Sequence, residues 1–326
     1  MSLRLAVSIS TWPLAARFAI SRGTKTEAKV LVVELHDGDL RGRGECVPYA
    51  RYGETLDGVQ KTIESLASRI EEGLSREALQ SALPASAARN AIDCALWDLA
   101  AKQARKRAWE IAGLPATSPV ITAYTLSLDA PEAMAAAAAR VNFPLLKLKL
   151  GAAGDPARLG AVRAARPKAR LIVDANEGWR PENLAANFAA CAAANVEMIE
   201  QPLPAGDDSA LSTIERPIPI CADESVHDRA SLAVLRGKYD LVNIKLNKAG
   251  GLTEALAMAD AAERAGFDLM IGSMVGTSLG VAPALLLAGR ARFVDLDGPL
   301  LLSRDRTEGL RYSGTEISPP LPDLWG

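Results

Sequence analysis

Histidine is almost missing from this chain. Only His36 and His227 occur among its 326 residues, so a histidine-built zinc site cannot form, and a Ser-His-Asp triad would have to recruit one of these two. Neither stands near a nucleophile-elbow motif. His36 runs into Asp37-Gly38 and reads as a hairpin-turn residue, whereas His227 reads as the opening of a helix. Cysteine is scarce as well. Cys46, Cys94, Cys191 and Cys221 are scattered with no C-x-x-C pair, a pattern that suits buried thiols in a reducing, cytoplasmic setting better than a disulfide framework. The net charge is -2, without the basic excess that a nucleic-acid backbone would require. No apolar run approaches the roughly 18 residues of a membrane span, and the opening MSLRLAVSISTWPLAARFAI lacks a signal-peptide pattern.

What the chain does have is length and apolar patterning. Its size predicts two folding units. In the first, residues 29–35 (KVLVVEL) and 40–46 read as strands around a His36-Asp37-Gly38-Asp39 turn, followed by helical patterns over 55–72, 75–81 and 85–104. Strands followed by helices make an α+β unit, placed at 1–118. From about 119 the texture changes to short apolar strands alternating with alanine-rich helices. Strands are predicted at 120–126, 145–150, 170–174, 196–200, 218–222, 241–245, 269–273 and 292–296. Helices are predicted at 131–141, 155–165, 181–194, 227–236, 252–265 and 277–288. That count predicts an α/β fold, a (β/α)7β TIM-like barrel over 119–298 carrying the N-terminal α+β unit as a cap. A doubly wound sheet would show a Gly-rich turn after its first strand, and none is present. The segment 299–326 leaves the barrel pattern and is expected to pack back on the cap.

Charged residues recur at the C-terminal ends of these strands: Lys149, Asp174, Glu200, Asp223, Lys245 and Asp295. Successive separations are 25, 26, 23, 22 and then 50 residues, one βα step each with one step skipped. In such a barrel those ends converge on a single mouth. A charge in an otherwise apolar strand is costly unless it is paired or binds an ion. Asp174, Glu200 and Asp223 would repel one another there, and a divalent cation resolves the repulsion. An all-oxygen set selects a hard ion, Mg²⁺ or Mn²⁺. Lys149 and Lys245 flank the triad. Crowding by Lys147 and by the cation is expected to lower their pKa towards neutrality and make them bases on opposite faces of a substrate.

Together the stretches Lys147-Leu148-Lys149, Asp174-Ala175-Asn176, Glu200-Gln201-Pro202, Ala222-Asp223-Glu224-Ser225 and Asn243-Ile244-Lys245 through Lys248-Ala249-Gly250-Gly251 resemble the enolase superfamily, in its muconate-lactonising-enzyme group. A lysine base working with Mg²⁺ is a known theme of that superfamily. The resemblance implies one Mg²⁺ per active site on Asp174, Glu200 and Asp223, with Lys149 and Lys245 catalytic. Asp295-Leu296-Asp297 looks like the Asp-x-Asp motif by which dipeptide epimerases hold a substrate ammonium. The stretches RYGET, ARNAIDCALWDLA, ICADES and GGLTEAL are similar to those of epimerases acting on L-Ala-D/L-Glu in murein peptide recycling. The resemblance therefore implies an isomerase that moves a proton at the α-carbon of L-Ala-D/L-Glu or a related L-Ala-X dipeptide. Thr125, Lys147, Asn176, Ser273 and the Val275 backbone would line the substrate, and Arg22 would meet its side-chain carboxylate. o-Succinylbenzoate synthesis, muconate cycloisomerisation and N-acyl amino acid racemisation share the same lysines and stay open as alternatives. The implied partner is a small molecule, not a nucleic acid or a membrane. Self-association is common among such barrels.

Overall fold

The computed structural model describes residues 3–326. Three antiparallel strands open the chain, β1 (Arg4–Ile20), β2 (Gly23–Asp37) and β3 (Leu40–Cys46), in the order β1-β2-β3. The sequence pattern of β1 does not announce a strand, because Pro13 interrupts it and the pairing register slips between Pro13 and Phe18. An edge strand tolerates both features. β2 is apolar on both faces because both are covered. Leu31, Val33 and Leu35 join the core of the cap, while Val30 and Val32 join the larger core shared with the barrel.

The predicted helix over 55–72 forms as two, α1 (Leu56–Glu64) and α2 (Ala67–Glu71). They divide at Ser65, whose hydroxyl donates to Thr62 O at 2.7 Å and competes with the helical ladder. Next come α3 (Arg76–Ala82), α4 (Ala87–Ala104) and the short α5 (Ala108–Ile111). α4 is buried almost all round, between the cap sheet and the barrel. It lies so close to β3 that a Cβ at Gly42 or Gly44 would overlap the backbone of Ala95 or Ala91.

The predicted strand 120–126 splits in two. β4 (Val120–Ile121) joins the C-terminal hairpin β13 (Tyr312–Ser313) and β14 (Glu316–Ile317), and only β5 (Tyr124–Leu126) enters the barrel. The remaining barrel strands are β6 (Leu145–Lys149), β7 (Arg170–Asp174), β8 (Val196–Glu200), β9 (Ile220–Ala222), β10 (Leu241–Ile244), β11 (Asp268–Gly272) and β12 (Phe293–Asp295). All are parallel and neighbours in chain order. Ala123 N–H donates to Val294 O at 2.8 Å and Leu296 N–H to Thr122 Oγ1 at 2.9 Å, which joins the first strand to the last.

The connections use α6 (Pro131–Arg140), α7 (Asp155–Ala165), α8 (Pro181–Ala193), α9 (Leu246–Ala249), α10 (Leu252–Arg264), α11 (Ser278–Val281) and α12 (Leu285–Ala288). The two connections after β8 and β9 are 3₁₀ turns, at Ser209–Ser212 and Arg229–Leu235. The second stands where an α-helix over 227–236 is predicted. It is tightened at its start by the reciprocal bonding of Asp228 and Ser231. Among the described residues, no helix is long and apolar enough to cross a membrane.

Strand parity places the chemistry. Side chains two apart share a face. Ala123, Leu145, Ile172, Met198, Cys221, Leu241, Met270 and Phe293, one from each barrel strand or its approach, form one buried cluster across the interior. Two or four residues further along, on the same face, come Thr125, Lys147, Lys149, Asp174, Glu200, Asp223, Asn243, Lys245 and Asp295. The intervening Leu146, Leu148, Leu171 and Val173 face the helices.

Candidate active site

Asp174, Glu200 and Asp223 each present a carboxylate oxygen within 4.8 Å of the others, and all three are buried. Their charges are held very unequally. Burial alone would raise Asp174, but Lys149 and Lys147 draw it down to about 2. Glu200 is pushed up to about 7 by burial and by Asp174 beside it. Asp223 is held well below the usual carboxylate range, because Lys245 and Lys248 outweigh burial.

Asn243 fixes Glu200 by donating to its Oε1 at 2.8 Å. Gly272 on β11 leaves the space for this, since a Cβ there would stand 2.6 Å from Asn243 Oδ1 and 3.1 Å from Lys245 Cε. Lys147 Nζ lies 2.6 Å from Glu200 Oε2, a close buried ion pair. Three buried, convergent carboxylates, with no nitrogen or sulfur among the donors, fit a hard divalent cation.

The lysines occupy opposite walls. Lys149 ends β6, the second barrel strand, and Lys245 follows β10, the sixth of the eight, which sets them half a circuit apart. Lys149 Nζ is 2.6 Å from Asp174 Oδ2, and Lys245 Nζ is 2.7 Å from Asp223 Oδ2. Lys245 is held charged by the acids that would carry the cation. Burial pulls its pKa down, but Asp223 and Glu200 outweigh that and hold its proton firmly. Lys147 is raised in the same way by Asp295, Glu200 and Asp174.

Both lysines open onto a cavity of about 520 Å³ between barrel mouth and cap. Thr125, Lys147, Asn176, Ser273, Val275, Asp295 and Asp297 line it as well. Asp295 accepts from Lys147 at 2.7 Å, and Asp297 accepts from Thr125 N–H at 2.6 Å. Burial and the neighbouring Asp295 push the Asp297 carboxyl up to about 7. Lys147 thus serves Asp295, whereas Asp297 has no cationic partner among the described residues.

Arg22 lines the cavity too, but protein groups hold its guanidinium. Nη1 donates to Asn176 O at 2.7 Å and to Glu177 at 2.9 Å, and Nη2 donates to Glu224 at 2.6 Å. Several lining residues escaped the sequence reading. The cap contributes Phe18, Ile20, Lys25, Tyr49 and Tyr52, and the barrel side contributes Glu224, Met274 and Leu301. Lys248, buried beneath the mouth, donates to both the backbone and the carboxylate of Asp223. The Lys248-Ala249-Gly250-Gly251 stretch was the signal for it.

A parallel barrel with carboxylates and lysines at its strand ends, roofed by an α+β cap, defines a class of enzymes rather than a single reaction. The chain belongs to the mandelate racemase/muconate lactonizing enzyme family of the enolase superfamily. The family's N-terminal domain profile matches residues 3–113, and the profile described as enolase C-terminal domain-like matches 129–303. Among its relatives is the L-Ala-D/L-Glu epimerase of Escherichia coli, 48% identical over 309 residues that span 94% of this chain and 96% of that protein. An N-acetyl-D-glutamate racemase from Pseudoalteromonas is 46% identical over 91% of this chain and 95% of its own length. A crystal structure of an enolase family member from Agrobacterium tumefaciens with homology to dipeptide epimerases, containing sodium and L-Ala-L-Glu, is 53% identical. It superposes with a TM-score of 0.98 over 99% of this chain and 100% of that one.

Proposed function

We propose that this protein is an isomerase, a divalent-cation-dependent epimerase acting on the C-terminal residue of L-Ala-D/L-Glu or a related L-Ala-X dipeptide, in murein peptide recycling. One observation carries the choice of substrate. Asp295 and Asp297, two buried carboxylates, open into the same cavity as Lys149 and Lys245. A free α-ammonium beside them offsets their mutual repulsion, whereas the neutral amide of an N-acyl amino acid does not.

Lys149 and Lys245 stand on opposite sides of the bound α-carbon. One accepts the α-proton as the C–H bond breaks, and the ammonium of the other returns a proton to the opposite face, so configuration inverts with no net change in protons. Asp174, Glu200 and Asp223 would hold Mg²⁺, or Mn²⁺ in its place. Bound there, the cation would supply positive charge for the substrate carboxylate. Lys147 adds a second fixed positive charge beneath it. Thr125, Asn176, Ser273 and the Val275 backbone orient the dipeptide, and on the cap side Lys25 offers a positive charge to a side-chain carboxylate, which Arg22 reaches by giving up Glu177 or Glu224.

The test is α-hydrogen exchange in D₂O with Mg²⁺, read by proton NMR, for L-Ala-L-Glu and for N-acetylglutamate side by side. Exchange favouring the dipeptide is expected. Asp297→Asn is expected to suppress dipeptide exchange far more than any exchange with the N-acyl compound. Absence of exchange with every L-Ala-X dipeptide overturns the proposal, and preference for N-acetylglutamate shifts it to the racemase reading.

A further inference from the structure

Glu200 and Asp223 come from neighbouring strands, and a single side chain ties the ends of those strands together. Gln201 follows Glu200 directly and is wholly buried. Its backbone takes a φ of 35°, a left-handed conformation that residues with a Cβ adopt only where their surroundings over-determine it.

Both ends of its side-chain amide are used. Oε1 accepts from the backbone N–H of Asp223 at 2.9 Å and of Ser225 at 3.0 Å. Nε2 donates to Leu203 O and Ser225 Oγ, each at 2.8 Å, and faces Tyr239 OH at 2.9 Å. The far side of this network is also anchored. Tyr239 OH and Ser225 Oγ both donate to Asp208 Oδ2, and Lys238 caps Asp208 Oδ1. The backbone N–H of Gln201 itself bonds Cys221 O at 2.9 Å. A carboxylate at this position would keep the acceptor and lose the donors. An asparagine would be one methylene too short to span the two strand ends.

We infer that Gln201 is a positioning residue for the cation site, an amide clamp that fixes the Asp223 backbone relative to Glu200 and so sets how far apart the two carboxylates stand. This rests on the reading of Asp174, Glu200 and Asp223 as cation ligands. Outer partners of metal ligands commonly govern affinity, and their loss weakens binding about 10- to 100-fold. A residue that only closed a turn would affect folding stability and leave cation affinity unchanged.

The probe is Mn²⁺ alone, with free ion measured by electron paramagnetic resonance during titration of the purified protein, well below each variant's melting temperature. Gln201→Met removes the clamp at nearly constant volume and is expected to weaken Mn²⁺ binding about 10- to 100-fold. Ile63→Val, in the core of the cap, lowers stability without touching the mouth and is expected to bind as wild type does. If Gln201→Met does not fold, Tyr239→Phe decides the matter. It removes one anchor of the Gln201 amide and is expected to weaken binding by roughly fivefold, the worth of a single hydrogen bond. Wild-type affinity in the folded glutamine variant, or in Tyr239→Phe, overturns the clamp while leaving the cation site standing. Failure of the wild-type protein to bind Mn²⁺ removes the cation site and the clamp with it.

Discussion

Arg306 is one of the points where the C-terminal segment meets the cap. Its Nη2 lies 2.9 Å from Glu45 Oε2, and its Nε donates to Thr277 Oγ1 at 2.6 Å. Glu45 is fully buried and is also held by the backbone and hydroxyl of Thr277. Among the described residues, Arg306 is its one ion-pair partner. Arg306→Met strands that carboxylate. Breaking a buried pair costs about 3–5 kcal/mol. The Arg306 side chain is 16% exposed and Thr277 keeps donating, so a loss of about 2–4 kcal/mol is expected. For 326 residues the unfolding entropy is about 0.7 kcal/mol per degree, which translates into a fall in Tm of about 3–6 °C.

The pH dependence has a definite sign. Burial raises the Glu45 pKa, with Arg306 and Thr277 opposing it. A carboxyl with a raised folded-state pKa favours folding most in acid, and that contribution is lost as pH climbs from the unfolded carboxylate value of about 4.3 through the folded one. Removing Arg306 raises the folded value further, so the variant should lie closest to wild type in acid and furthest above that window. Thermal melts followed by circular dichroism at about pH 5 and about pH 8 check this. Adding Glu45→Gln to Arg306→Met should recover most of the loss. A variant that melts with wild type at the higher pH, or one that loses more in acid, refutes the reasoning.

Two further outcomes follow from the geometry. Lys149→Met and Lys245→Met should each slow epimerisation by about 10²- to 10⁴-fold. Each should still exchange the α-hydrogen of one dipeptide epimer in D₂O, with opposite epimers for the two variants. Exchange of the same epimer by both would rule out opposed bases. Gly44→Ala forces a Cβ into the backbone of α4 at Ala91 and Ala95 and should cost about 3 kcal/mol or more in urea unfolding. A cost below about 1 kcal/mol would mean that α4 can lift away from β3.

The barrel and its charged mouth were readable because isolated charges interrupt short apolar strands at a steady interval, and strand parity then fixes where they point. Lys149, Asp174, Glu200, Asp223 and Lys245 come together as that pattern requires. Less could be read where the deciding partner is remote. Arg22 and Glu224 are 202 positions apart, and nothing local says that an exposed-looking cap arginine is already engaged by two carboxylates. Glu45 and Arg306 are 261 apart. The strand β1 hid behind its proline, and β4 took its partner from the last residues of the chain.

The layer of one apolar side chain per strand across the barrel interior has an evolutionary consequence. It separates a seal from a workbench. Replacing a side chain on the mouth side of that layer, at Asp295 or Ser273, changes what the cavity grips and leaves the seal untouched. Adding or deleting one residue within a strand would turn every later side chain to the opposite face, carrying lysines and carboxylates into the helical shell. Descendants of this scaffold can therefore trade substrates by substitution at the strand ends, while the lengths of the strands beneath them stay locked.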